Sequence, residues 1–151
     1  MIVWCIKPEL SIISDIEPKT TVRKPLPCDS QAERENKEKY PYLNKKDVNF
    51  SINYLGVNFL IDIPKGYCWN GADIPACFWW FIGSKDASQF LNPSMVHDRI
   101  MERKCLVAYD RQLSSIIFRE LLIASGVGKF KAKLMYKAVD FYQKYFCDWK
   151  Q

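Results

Sequence analysis

Polar and apolar residues alternate most strictly between Val48 and Ile63. Val48, Phe50, Ile52 and Tyr54 take every second position, Leu55-Gly56 interrupts, and Val57, Phe59, Ile61 and Ile63 resume the alternation. A period of two turns one side of a strand toward a core and the other toward water, and a two-residue link containing glycine is the length of a tight hairpin. Pro64-Lys65-Gly66 ends the run. Near the N-terminus, residues 2–7 (IVWCIK) read as a short strand, with 10–16 as its continuation.

Beyond residue 90 the period lengthens to that of helices. Asn92-Pro93 combines a good N-cap with proline at the first helical position, which predicts a helix starting there and carrying His97. A second helix opens at Asp110, keeps Leu113, Ile116, Ile117 and Leu121 on one side, and stops at Gly126. A third spans about Lys129 to Phe146, with Leu134, Ala138, Phe141 and Tyr145 expected on its buried side. A hairpin followed by three helices predicts an α+β fold, a small antiparallel sheet packed against about three C-terminal helices. Residues 1–151 are expected to form a single domain, with the hairpin and an aromatic loop at 48–83 and the helical part at 92–148.

The stretch from 17 to 46 has neither period. Pro18, Pro25, Pro27 and Pro41 frame the polar segment SQAERENKEKY, in which Ser30 and Glu33 have capping-box spacing. A short helix at 31–39 would have only Ala32 to bury, so the stretch is expected to be an exposed, solvated insertion rather than a partner-binding loop.

Composition narrows the class without naming a function. The chain is 48% hydrophobic and 26% charged, an ordinary globular balance, and its 15% aromatic content is high enough to suggest large rings in the core or on a binding surface. A net charge of +5 favours acidic partners but does not by itself indicate nucleic acid. No stretch approaches the roughly 20 apolar residues of a membrane span. Lys7-Pro8-Glu9 interrupts the N-terminus before any apolar run of secretory length, so no signal peptide is expected. Six cysteines without a C-x-x-C pair, beside a single histidine, argue against zinc and are expected to be free thiols.

The candidate chemistry lies in two stretches, IPKGYCWNGADIPACFWWFIG at 63–83 and NPSMVHDRIMERK at 92–104. The first is too rich in glycine and proline for regular structure, yet its aromatics suit the wall of a site. The second holds His97-Asp98. An imidazole titrates near neutrality and can act as general base, while carboxylates are hard oxygen ligands for calcium. In the sharp reading, His97 is a base assisted by Asp98 and oriented by Asp73, Asp110 or a backbone carbonyl. In the bland reading it is a hydrogen-bonded histidine at a sheet–helix junction. Asp98 and Glu102 stand four apart on one helix face and could hold a divalent cation such as Ca2+. Flanked by Arg99, Arg103 and Lys104, they are more simply a salt-bridged surface. No cofactor is otherwise implied. Serine chemistry lacks a G-x-S-x-G motif, and a cysteine nucleophile (Cys68, Cys77 or Cys105) would need proximity to His97 that spacing does not supply.

In order, the motifs G-Y-x-x-N-G-A-D-I-P, a tryptophan, H-D and A-K-L-M-Y-K-A-V resemble a family of small phage and prophage proteins of unassigned function. Its pattern is P-x-G-F-x-T-D-G-A-S-x-P, tryptophan, H-D-x-L-Y, S-R-x-x-A-D-x-x-F and A-x-x-M-Y-x-A-V. The resemblance covers about residues 63–142. Gly66, Tyr67, Gly71, Ala72, Ile74, Pro75, Trp79, His97, Asp98, Arg111, Phe118, Gly126, Ala132, Met135 and Tyr136 match it. Asn70 stands where the family has aspartate, Asp73 where it has serine, Met101 where it has tyrosine, and Ser115 where it has the aspartate of the A-D pair. Framework residues persist while polar positions have changed, as in a retained fold with an altered or lost activity. The H-D helix is also similar in outline to secreted phospholipase A2, without that group's disulfide frame or glycine-rich calcium loop.

Two functions follow as expectations. The first is a phage-encoded accessory protein, virion-associated or host-interacting, that binds through Trp69, Asn70, Trp79, Trp80 and Arg111 and carries a degenerate His-Asp site. The second is a hydrolase of lipids, peptidoglycan or other esters or amides centred on His97 and Asp98, with Asp73 in support. A protein partner is expected, and the protein is expected in the host cytoplasm or the virion. Lys129, Lys133, Lys137 and Lys144, interleaved with Phe130, Tyr136, Phe141, Tyr142 and Phe146, could meet nucleic acid or an anionic membrane. The bland expectation makes them the wet side of a helix whose aromatics are core.

Overall fold

The computed structural model describes residues 1–71, 88–101 and 111–146. A four-stranded sheet has the order β1-β2-β5-β6, with β1 at Ile2–Ile6, β2 at Leu10–Ser14, β5 at Val48–Tyr54 and β6 at Val57–Ile63. All three pairings are antiparallel. The β5–β6 hairpin appears where the alternation placed it, with Val48 opposite Ile63 and Tyr54 opposite Val57. Both link residues take positive φ, +50° at Leu55 and +82° at Gly56, as a turn matched to strand twist requires.

A second sheet, ordered β3-β4-β7, joins Thr20–Val22, Tyr42–Asn44 and Cys68–Trp69. The 17–46 stretch is therefore not only an exposed insertion. Its helix α1 (Gln31–Lys39) has the capping box and buries nothing, as expected, but the strands on either side tie it down. Asn44 explains why. Its buried amide donates to the carbonyls of Ile63 (3.3 Å) and Pro64 (3.2 Å), fastening β4 to the end of the hairpin. A polar residue used as an internal clasp leaves no hydrophobic period to read.

Three further helices follow, α2 at Ser88–Met101, α3 at Arg111–Ala124 and α4 at Lys129–Phe146. Helix α2 begins four residues ahead of Asn92, so Pro93 lies inside it rather than at its start. Phe90 accounts for the extension, since burying it draws the chain into the helix despite the proline. Gly126, at φ +95°, closes α3: its N–H reaches Ile123 O (3.1 Å) and the Val127 N–H reaches Leu122 O (3.0 Å), while Val127 is buried.

The inner sheet face (Leu10, Ile12, Val48, Phe50, Ile52, Ile61, Ile63) packs on Met95, Val96 and Ile100 of α2 and Ile117 and Leu121 of α3. A second cluster, with Phe90, Phe118, Leu122, Met135 and Val139, joins α2 and α3 to α4. The α+β expectation holds, with helices covering one side of an antiparallel sheet. The buried stripe of α4 is turned from the expected one, running through Ala132, Met135, Ala138, Val139 and Gln143, while Phe141 and Tyr145 face outward. Small residues let α3 and α4 approach closely, which ranking by side-chain hydrophobicity does not anticipate.

Candidate functional site

His97 sits in the middle of α2 and is 4% exposed, enclosed by α3 and α4. Its ring tilts against Phe118 at 5.1 Å between centroids. Nε2 lies 2.6 Å from Nε2 of Gln143 on α4. That same amide nitrogen is 3.1 Å from Sδ of Met101, and the amide oxygen of Gln143 accepts from the Ser115 hydroxyl on α3 at 3.3 Å. The four side chains form one buried polar cluster joining three helices.

The neighbours fix which way the amide points. Turned over, its oxygen would sit against a sulfur that has no proton to offer, and its NH2 would face a hydroxyl. As placed, one amide proton points to Met101 Sδ and the other to the ring, and the oxygen takes the hydroxyl proton. A nitrogen facing an amide N–H is an acceptor. With the amide in this orientation and the ring neutral, His97 Nε2 accepts and the proton is on Nδ1. Nδ1 lies 3.7 Å from Asp98 Oδ1, near enough for electrostatic attraction and too long for a hydrogen bond. The Asp98 side chain is 15% exposed, so the pair lies toward the rim of the cluster.

On the sheet side, Trp69 is 1% exposed, donates from its indole to Ser94 Oγ (3.2 Å) and stacks with Tyr67 at 6.1 Å. Expected at a binding surface, it is a core residue. The guanidinium of Arg99 lies over the Tyr67 ring (5.5 Å), and its Nε donates to the Asp62 carbonyl (2.8 Å) on the edge strand β6. Gly71 adopts φ +89° beside Tyr42, whose ring would stand 3.1 Å from an added Cβ, so the chain leaves β7 through a place only glycine fills without a shift. Asn70 is half-buried just before it.

The structure thus brings His97, Asp98, Ser115 and Met101 together and places Trp69 and Asn70 across the β7 turn. Asp73, Trp79, Trp80, Glu102 and Asp110 lie outside the described residues, as does the side chain of Arg111, which opens α3. Among the described residues no group of three or more ligating side chains is placed to hold a metal ion. Cys5, Cys28 and Cys68 are free thiols, and Cys68 Sγ bonds the Gly66 carbonyl (3.4 Å). Gln143 is the residue the sequence reading missed. Its signal was its register, since it falls on the stripe of Ala132, Met135 and Val139 and a polar group there needs a buried partner.

Fold and cluster together define a small α+β protein with a buried histidine–amide network at its helical junction. The chain belongs to the family described as "Protein of unknown function (DUF1353)", whose model matches residues 47–139. That agrees with a family of unassigned function. It is similar to an uncharacterised protein of Sinorhizobium fredii, y4jT, at 35% identity over 96 residues, covering 58% of this chain and 28% of that protein. The chain thus spans just over a quarter of the length of the curated relative it matches. No solved structure matches it.

Proposed function

We propose that this is a phage-encoded accessory protein, virion-associated or acting on a host component, that works by binding and not by catalysis. The observation that carries this reading is the Gln143 amide nitrogen set 2.6 Å from His97 Nε2 in a buried cluster. A general base needs an unprotonated nitrogen open to the reacting group. With the Gln143 amide directed into Nε2, the lone pair is occupied, and the other nitrogen already holds the proton. The matched segment also occurs within a much longer chain in the rhizobial relative, which suits a module attached to other machinery. The competing hydrolase reading draws on Asp98 near Nδ1, and it needs the Gln143 amide to leave Nε2 so that this nitrogen can act as base.

Long-range 1H–15N correlation spectra of the labelled protein report the tautomer directly, because this chain has one histidine. The expected spectrum shows the proton on Nδ1. The matching activity result is no His97-dependent turnover of p-nitrophenyl esters, labelled phospholipid or peptidoglycan fragments, with or without Ca2+. Turnover abolished by His97→Gln, whichever nitrogen carries the proton, would replace the binding reading with the hydrolase.

A further inference from the structure

Among the described residues, α4 is packed along the stripe of Ala132, Met135, Ala138 and Val139. Its outward sector carries Phe130, Lys133, Lys137, Phe141, Lys144 and Tyr145, all exposed, with Phe130 at 78%, Phe141 at 53% and Tyr145 at 61%. At about 100° per residue these positions sort into two edges. Phe130, Phe141 and Tyr145 line one, together with half-buried Leu134, and Lys133, Lys137 and Lys144 line the other, with Lys129 beyond them. Rings this exposed along four turns of a helix lie off the stripe that the core uses. Other rings and cations near this helix have internal work: Lys131 lies over Phe90 (5.4 Å) and Arg119 over Tyr136 (5.0 Å).

We propose that α4 docks the protein on an anionic phospholipid surface, with Phe130, Phe141 and Tyr145 entering the headgroup boundary and Lys133, Lys137 and Lys144 meeting the phosphates. The inference rests on the reading of the protein as a binding module and names the partner of one face. An apolar edge beside a basic edge on a single helix is the layout of an interfacial helix lying in the membrane plane. Aromatic rings suit that depth, and lysine stems reach back from it to the headgroups. No described helix is long and apolar enough to cross a bilayer, so the contact is peripheral.

The alternatives fit the same face less well. A second copy would set lysine edge against lysine edge. Bases of a single-stranded nucleic acid need open ring faces to stack on. Tyr145 is already engaged by Phe141 at 4.7 Å and by the Lys144 ammonium at 5.3 Å.

The test is flotation of the full chain with vesicles of phosphatidylglycerol and phosphatidylcholine in equal parts, against phosphatidylcholine alone. Binding is expected on the anionic vesicles only and is expected to weaken as salt rises. Each lysine near such a surface is worth about fivefold in affinity. Lys133→Gln/Lys137→Gln/Lys144→Gln should therefore lose about a hundredfold, and Phe130→Ser/Phe141→Ser roughly tenfold, with unchanged circular dichroism. No flotation, equal flotation on neutral vesicles, or undiminished binding by the lysine variant overturns the proposal. So does tighter binding of a single-stranded oligonucleotide that the lysine variant loses. The vesicle assay reads the exposed rings and lysines of α4 and the tautomer spectrum reads the buried His97–Gln143 contact, so failure of this docking and failure of the binding reading are distinguishable.

Discussion

Two of the buried polar groups on helix α3, Ser115 and Glu120, lie on different sides and are satisfied in opposite ways. Toward α4, Ser115 enters the neutral network with Gln143 and His97. Toward the sheet, Glu120 is buried but charged, held by Lys7 of the loop after β1 (Nζ–Oε2 2.5 Å) and by its neighbour Arg119 (3.1 Å). That network is enclosed because the Gln143 amide oxygen and nitrogen both meet partners, on α3 and α2. The carboxylate is kept at a rim, where Lys7 and Arg119 side chains that are 43% and 32% exposed reach in from solvent. A neutral amide loses little on leaving water when its bonds are replaced, whereas a charge must be met by another charge. The first site fixes helix geometry, and the second ties β1 to α3 with an interaction that depends on ionic conditions.

Removing the amide should have the largest effect. Gln143→Leu leaves the His97 ring nitrogen and the Ser115 hydroxyl buried without their partner, at about 1–3 kcal/mol each, so a total loss near 3 kcal/mol is expected in urea unfolding. A loss under about 1 kcal/mol would mean that the cluster does not hold the helices together. At the charged site the two partners should differ. Lys7→Met strands a buried carboxylate with Arg119 alone and should cost about 1–2 kcal/mol, less than a fully enclosed pair because Lys7 is half in solvent. Glu120→Met leaves two cations that water can reach and should fall within about 1 kcal/mol of the parent. Equal losses in the two variants would erase the distinction between rim and interior.

Cys5 reports the potential at that rim. Burial raises its thiol pKa, the Glu120 carboxylate raises it further, and Lys7 opposes both. Alkylation at neutral pH should therefore run slower at Cys5 than at exposed Cys28. It should quicken a few-fold in Glu120→Met and slow in Lys7→Met, since the thiolate is the reacting species. Mass spectrometry of timed iodoacetamide reactions reads all three rates, and unchanged Cys5 rates in both variants would show that burial alone sets its reactivity.

The two sites also differ in how far they could be read from the chain. Periodicity revealed the hairpin to the residue, the three helices, and the stop at Gly126, because each rests on a local signal such as alternation, spacing or a positive φ. It missed β3, β4 and β7, which are two or three residues long and held by Asn44. It also misplaced the start of α2, where the Asn92-Pro93 signal yields to the burial of Phe90. At the candidate site, His97-Asp98 stood out and the partners did not. Gln143 is 46 positions away from His97, and only the packing of α4 on α3 brings it near. The aromatic stripe of α4 was taken for core because large rings outrank alanine in hydrophobicity, while close packing against α3 favoured the alanines.

The smallest predicted effect carries the contrast between charged and neutral anchoring to α1. Its N-terminus is held by carboxylates: the Ser30 N–H donates to Glu33 (2.7 Å) and the Leu26 N–H to Asp29 (2.6 Å), which also pairs with Lys37 (2.7 Å). These backbone bonds are the main reason both acids are held below their ordinary pKa, with the Ser30 side chain assisting Glu33 and Lys37 assisting Asp29. A depressed folded-state pKa contributes stability that is present above the unfolded carboxylate range and lost as pH falls through the folded value. Acidification through and below that range should therefore speed amide exchange across α1 first. Helices α3 and α4 are held by their buried apolar faces, so their exchange protection should outlast that of α1. Loss of protection in all three helices at one pH would show that α1 is anchored by the strands beside it rather than by its own cap.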